Sequence, residues 1–263
     1  MARKKKSTKK TLGDLLEEIT ALAHGLNLTA LRDQLPDLIA QAEKSGVSYS
    51  EFILDLLRYE HTTRQSRRLT RNLKRSGLPQ VVKGLDSFDF SLRPKLEARV
   101  VKELLHCRWV PERRNIICVG RPGRGKNHVL DALAKAACEK GYTVRKVITA
   151  EMLEELHGAI ADRTYKRTFR RFEKPDVLYC DEFGYSPFDA DATKYLFRLV
   201  SARHQNKSIL LAANTGFSGW KRFFPSEAQA VATVDRLIDN ATILRFSGKG
   251  FRKPKEIIGE AVE

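Results

Sequence analysis

The sequence predicts an α/β fold, a parallel sheet with helices on both faces, preceded by an all-helical module. Three observations carry this. Before Gly77 the apolar residues recur at helical spacing. From Arg114 onward short apolar strands alternate with helical segments. The first strand is joined to the first helix by a glycine-rich loop, "GRPGRGK", at residues 120–126.

The helical module follows a basic tail. Residues 1–10, "MARKKKSTKK", hold six cations and no acid, too little apolar surface to order themselves by burial. The first helix starts at Thr11, carries Leu12, Leu15, Leu16, Ile19 and Leu22 at three- and four-residue steps, and stops at Gly25. A second runs from about Thr29 with Leu31, Leu35, Leu38 and Ile39; Pro36 marks its start or a break between two pieces. The third opens at "SYSE", where Ser48 and Glu51 have capping-box spacing, and runs towards Gly77. Its second half, "HTTRQSRRLTRNLKRSG", carries Arg64, Arg67, Arg68, Arg71, Lys74 and Arg75 with no acid among them. Residues 64, 68, 71 and 75 share one face, and a single-sign stripe suits a phosphate backbone better than a solvated face of mixed charge.

Residues 78–95 mix Pro, Gly and Asp with isolated aromatics, which predicts a linker docking on the next domain. The α/β part then reads as the strand "RNIICVG", the helix "NHVLDALAKAACEK" closed by Gly141, and the strand "YTVRKVIT". A helix over about 151–173, the strand "DVLYC", a helix over about 190–205 and the strands "SILLAAN" and "ATILRFS" complete it. The domains are thus residues 11–77 and 78–250, flanked by tails at 1–10 and 251–263. In such sheets ligands bind at the carboxyl ends of the strands.

Composition narrows the partners. Against 32 Asp and Glu stand 48 Lys and Arg, a formal net charge of +16, which favours a polyanion, nucleic acid first. No apolar run approaches the ~18–20 residues of a spanning helix and the N-terminus has no signal-peptide core, so no membrane is expected and the chain is placed in the cytoplasm. Cys107, Cys118, Cys138 and Cys180 share no C-x-x-C spacing and read as reduced core residues.

The loop points to a phosphate-binding site: Gly120, Gly123 and Gly125, with Arg121, Pro122 and Arg124 between them, let main-chain N–H groups wrap phosphates at a helix N-terminus. Lys126 would reach the β- and γ-phosphates of ATP. The strand "DVLYC" ends in Asp181 and Glu182, 55 residues after Lys126 and one βαβ unit away. Asp181 is placed to hold Mg²⁺ and Glu182 to polarise the attacking water. The next strand ends in Asn214, set to contact the γ-phosphate or the attacking water.

The order of this loop, "DEFGY", "AAN", "FSGW" and "VDRLID…ILRFSGKGFR" resembles the IstB-like helper ATPases of bacterial insertion sequences, relatives of the DnaC-type helicase loaders within the AAA+ class. The likeness spans almost the whole chain, and it implies a P-loop AAA+ ATPase domain behind a helical domain for DNA binding and oligomerisation. It implies that Lys126 is the loop lysine, Asp181 and Glu182 the Walker B pair, Asn214 the sensor, and Arg236 in "VDRL" the arginine finger aimed at a neighbouring subunit's nucleotide. The resemblance also implies that Arg252 in "GKGFR" is a late basic residue near the phosphates. The function it implies is ATP-dependent assembly on duplex DNA, in a ring or spiral, for a cognate transposase.

Asn127 departs from the pattern G-x-x-x-x-G-K-[ST], in which a hydroxyl ligates Mg²⁺. An amide oxygen is also a hard ligand on a longer arm, so ATP binding should survive while magnesium affinity or hydrolysis weakens. His128 begins the helix beside the loop. A second basic run, "DRTYKRTFRRFEK", holds Arg163, Lys166, Arg167, Arg170 and Arg171, with Tyr165, Phe169 and Phe172 to anchor the other side. It suits a DNA backbone, with no code for reading base edges. Two other readings stay open: a helicase loader, and a nucleotide-binding module that hydrolyses weakly.

Overall fold

The computed structural model describes residues 10–185 and 187–248, and the chain forms two compact units, Met1–Thr70 and Arg71–Glu263, divided inside one long helix. The first unit holds α1 (Leu12–Gly25), α2 (Thr29–Ser45) and the start of α3 (Tyr49–Ser76). Short polar side chains set the entries. Thr11 and Asp14 form a reciprocal capping box on α1, and Ser48 and Glu51 do the same on α3, with Ser48 N donating to Glu51 at 2.9 Å. Gly46, at φ 64°, closes α2.

Pro36 neither starts nor breaks a helix: α2 runs through it to Ser45. The cost of one missing hydrogen bond is offset because Ala30, Leu31 and Leu35 are buried and because Glu60 caps the helix start. The buried Glu60 carboxylate accepts from Ala30 N at 2.9 Å and Leu31 N at 3.0 Å, replacing the side-chain cap that Leu28 cannot supply.

The second unit is a five-stranded parallel sheet in the order β2-β3-β4-β1-β5. The strands are β1 (Asn115–Val119), β2 (Val144–Ile148), β3 (Val177–Phe183), β4 (Ser208–Ala213) and β5 (Ala241–Arg245). β1 and β4 are buried along their whole length, as strands covered on both faces must be. Between them run α5 (Lys126–Glu139), α6 (Thr149–Ala161), α7 (Tyr165–Glu173), α8 (Ala190–Arg203), α9 (Phe217–Trp220) and α10 (Glu227–Ile238), after a short α4 (Ala98–Leu104). The core gathers Ile117, Leu156, Leu178, Phe183, Leu199, Leu211 and Trp220.

Three elements differ from the sequence expectation. The single helix over 151–173 is two, because Arg163 takes the left-handed conformation at φ 56° and ends α6; the N–H groups of Arg163 and Thr164 turn back to Ile160 O and Ala159 O. The strand "DVLYC" continues through Asp181 and Glu182 to Phe183. The segment before β1 is not bare linker: it holds 3₁₀ turns at Leu85–Ser87 and Phe90–Leu92 as well as α4. All four cysteines are free and buried. No helix among the described residues is long and apolar enough to cross a membrane.

Candidate nucleotide site

The site is assembled at the carboxyl edge of β1, β3 and β4. The chain leaves β1 at Gly120, whose N–H donates to Ala213 O at 3.1 Å and whose missing Cβ would stand 2.3 Å from Phe246 O. Only glycine fits so close an approach. Gly123 and Gly125 then take left-handed conformations, at φ 73° and 92°, and turn the chain into α5. Glycine at the N-cap gives α5 no side-chain cap of its own. Beside the loop lies a cavity of about 900 Å³, within the size range of small-molecule sites.

Lys126 is buried, and its ammonium donates to Gly120 O at 2.5 Å, Arg121 O at 3.1 Å and Asn214 Oδ1 at 2.9 Å. The loop lysine and the polar end of β4 are thus joined across the mouth of β1. Asn127 Nδ2 donates to Asp181 Oδ2 at 2.7 Å. Because a carboxylate only accepts, the amide must present its nitrogen there, which leaves Asn127 Oδ1 as the outward acceptor. Asp181 Oδ1 accepts from Glu182 N at 2.8 Å, and its main-chain oxygen from Thr149 Oγ1 at 2.7 Å.

Glu182 sits in a bulge. β3 pairs with β4 at Cys180↔Leu211 and next at Phe183↔Ala213, three residues against two, and Glu182 absorbs the difference at φ 54°. That conformation costs a non-glycine residue about 1 kcal/mol or more, and it leaves the Glu182 side chain exposed on the cavity wall while Asp181 stays buried.

The cavity gathers Pro122, Gly123, Arg124, Gly125, Lys126, Asn127, His128, Asp181, Glu182 and Asn214. Gly120 and Arg121 stand behind it and hold Lys126 through their carbonyls. Arg236 is not in its wall: half-buried on α10, its guanidinium lies 4.8 Å over the Phe197 ring and donates to Ala232 O at 2.7 Å. Arg252 lies outside the described residues, as do residues 1–9 of the basic tail.

The other wall is the segment before β1, through Lys83, Ser87, Phe88, Asp89 and Leu92. His128 fastens it: the imidazole bonds Gly84 O at 2.9 Å and meets the Phe88 ring edge-on at 5.3 Å. No motif marks this wall, and the only signal was the pair of aromatics in "SFDFSL". Asp131 and Lys146, 2.7 Å apart behind Asp181, also carry no motif; a lysine and an aspartate set among apolar neighbours were the available sign. Burial raises the Asp131 carboxyl above its usual range, against the pull of Lys146.

The profile of the IstB-like ATP binding protein family matches residues 21–257. The chain belongs to that family. It is 30% identical over 236 residues to a protein described as the ATP-binding protein of insertion sequence IS5376 from Geobacillus stearothermophilus, covering 90% of this chain and 94% of that one. It is 32% identical over 237 residues to its counterpart in insertion sequence IS21 from Pseudomonas aeruginosa, covering 90% and 89%. Solved structures of DnaI (TM-score 0.56, 16% identity, 65% of this chain and 95% of that one) and of the DnaC helicase loader (0.52, 16%, 62% and 96%) share the fold. AMPPCP-bound DnaA from Aquifex aeolicus does as well (0.54, 19%, 65% and 51%). The architecture is that of a P-loop AAA+ protein with a helical N-terminal region.

The basic residues are placed as follows. Arg64 pairs with Glu60 at 3.0 Å and donates to Asn27 O at 2.6 Å, and Arg67 donates to Thr29 Oγ1 at 3.0 Å, so both also serve the helical module itself. Glu60 lies one residue before the acid-free run, where the charge pattern concealed it. Arg68 is exposed on the same helix; Arg71, Lys74 and Arg75 are exposed and make no ion pair among the described residues. On α7, Lys166, Arg167, Arg170 and Arg171 are exposed, while Phe172 is in the core and Tyr165 and Phe169 pack against it. Arg171 is paired with Glu155.

Proposed function

We propose that this chain is an ATP-hydrolysing DNA-binding protein that assembles as a homo-oligomer on duplex DNA, selects or remodels the target, and stimulates a cognate transposase in the bacterial cytoplasm. The observation that carries the reading is the buried Lys126 ammonium, aimed by Asn214 and two loop carbonyls beside a cavity that also exposes Glu182.

In this reading the N–H groups of the loop hold the phosphates of ATP, and Lys126 exchanges its carbonyl partners for β- and γ-oxygens. Asn214, already on Lys126, orients the γ-phosphate. Glu182 accepts the proton of the attacking water from the bulge that exposes it. The donors fit a magnesium ion that keeps several waters: Asn127 Oδ1 is the open hard oxygen, and each Asp181 oxygen has a lone pair beyond the bond it already accepts. When bound, that ion would neutralise charge building up between the β- and γ-phosphates. Arg236 acts on the nucleotide of a neighbouring copy, presented by the Phe197 face on which it lies. Leu12, Leu15, Ile19, Leu22 and Leu26, exposed at three- and four-residue steps on and just after α1, support association between copies.

DNA contact is assigned to the exposed cations of α3 and α7, which touch backbone and carry no base code. The helicase-loader reading draws on the likeness to DnaC and DnaI, which extends to fold alone. Steady-state ATPase with and without DNA separates the readings. Duplex should stimulate more than single strand, and Glu182→Gln should lower turnover by about a hundredfold or more. A stronger response to single strand would favour the loader, and wild-type turnover no higher than that of Glu182→Gln would leave only a binding module.

A further inference from the structure

A cation lies directly behind the Walker B aspartate. Lys146, on β2, is half-buried between two carboxylates of other elements: its ammonium is 2.7 Å from Asp131 Oδ1 on α5 and 3.8 Å from Asp181 Oδ2 on β3, and 4.7 Å above the Tyr179 ring. The parallel register brings this about, since Lys146 is level with Tyr179 and Ile148 with Asp181. Asp131 follows Asn127 by one helical turn, so α5 delivers both an amide and an acid to the same place.

Asp181 therefore meets positive polarity at both oxygens, although it shares Lys146 with the Asp131 carboxylate. One oxygen takes the Glu182 N–H, the other takes the Asn127 amide and faces Lys146. In a phosphate-binding loop, a bare carboxylate at this place repels the triphosphate, and the metal ion relieves that repulsion by standing between them. Here the protein supplies part of that relief itself. The geometry points to Lys146 as an internal counter-ion, a positioning residue that, together with Asn127, lets the cavity bind a nucleoside triphosphate without a divalent cation and reserves the metal for hydrolysis. The inference rests on the nucleotide reading of the cavity.

The test is the affinity of a fluorescent ATP analogue for the full-length protein, measured in excess EDTA and in magnesium, as the ratio of the two Kd values. One unit charge several ångströms from a phosphate in partly screened surroundings changes affinity by roughly ten- to fiftyfold. Lys146→Met should accordingly raise the ratio by about fivefold or more over wild type, through loss of metal-free binding, and Lys146→Arg should bring it back. A merely structural lysine would weaken both forms alike and leave the ratio where it was, which would overturn the inference. If Lys146→Met does not fold, because the half-buried Asp131 then loses its partner, Lys146→Gln keeps a donor for Asp131, removes only the charge and should show the same rise; no rise there overturns the inference equally. Wild-type protein that binds the analogue only with magnesium overturns this inference alone, whereas no binding under either condition overturns the nucleotide reading.

Discussion

Asn127 Nδ2 donates to Asp181 Oδ2 at 2.7 Å, so the residue at the loop position of the usual hydroxyl spends its donor on the carboxylate of β3, and in the proposed function only its carbonyl oxygen is left for a metal. A threonine or serine hydroxyl would both donate to Asp181 and offer its oxygen, from a shorter arm. Asn127→Thr should lower the magnesium concentration for half-maximal ATPase by roughly tenfold, about 1.4 kcal/mol. A magnesium titration of turnover checks this, and coincident curves would show that Asn127 imposes no handicap.

Glu182 holds backbone strain at the cavity wall. Its left-handed backbone places a carboxylate in the cavity at a cost that glycine would not bear. Glu182→Gly should therefore abolish ATPase while raising unfolding stability by about 0.5 kcal/mol, the relief of strain being partly cancelled by the greater freedom of glycine in the unfolded chain. Urea melts of the two proteins decide it; a variant less stable than wild type by 1 kcal/mol or more would mean that the side chain holds the bulge together.

Much of this was legible beforehand, and the limits are physical. The loop, the two carboxylates and Asn214 could be placed at the sheet edge because each follows a short apolar run, and a parallel sheet collects the ends of such runs at one edge. The bulge at Glu182 was not legible, since the register between β3 and β4 depends on which neighbours pack, and "DVLYCDEF" alternates no differently with or without it. Neither was the split between α6 and α7, where Arg163 adopts a conformation that arginine does not advertise. The wall of Lys83 to Leu92 and the pair Asp131–Lys146 are long-range meetings, joined only once α5 and β2 are side by side.

Arg203 is the clearest structural residue among the described ones. It is fully buried at the end of α8 and donates to five carbonyls: Phe172, Glu173, Pro175, Asp176 and Ser208, at 2.7–3.3 Å. Burial lowers its pKa to about 10, so it remains charged at neutral pH. Arg203→Met should cost about 3–5 kcal/mol in a urea melt, because the ends of α7 and the starts of β3 and β4 lose their common donor. A loss below about 1 kcal/mol would mean that water takes over all five acceptors.

The thiols should be inert in the folded protein. Burial pushes Cys107 up to about 11 and Cys138 and Cys180 up to about 12, with Cys118 higher still. Since only the thiolate reacts, iodoacetamide at pH 8 should label none of the four in buffer and all four in urea. Rapid labelling of any of them in the native protein would show that its segment opens.

The proposed function stands on the Lys126 ammonium exchanging its two loop carbonyls for phosphate oxygens while Asn214 stays beside it. Isothermal titration of ATP into wild type and Lys126→Ala, with magnesium present, tests it most directly. One site per chain should appear in wild type and weaken by about a hundredfold or more in the variant, the loss expected for a charge-assisted contact in a buried setting. Equal heats from both proteins, or none from wild type, would contradict it.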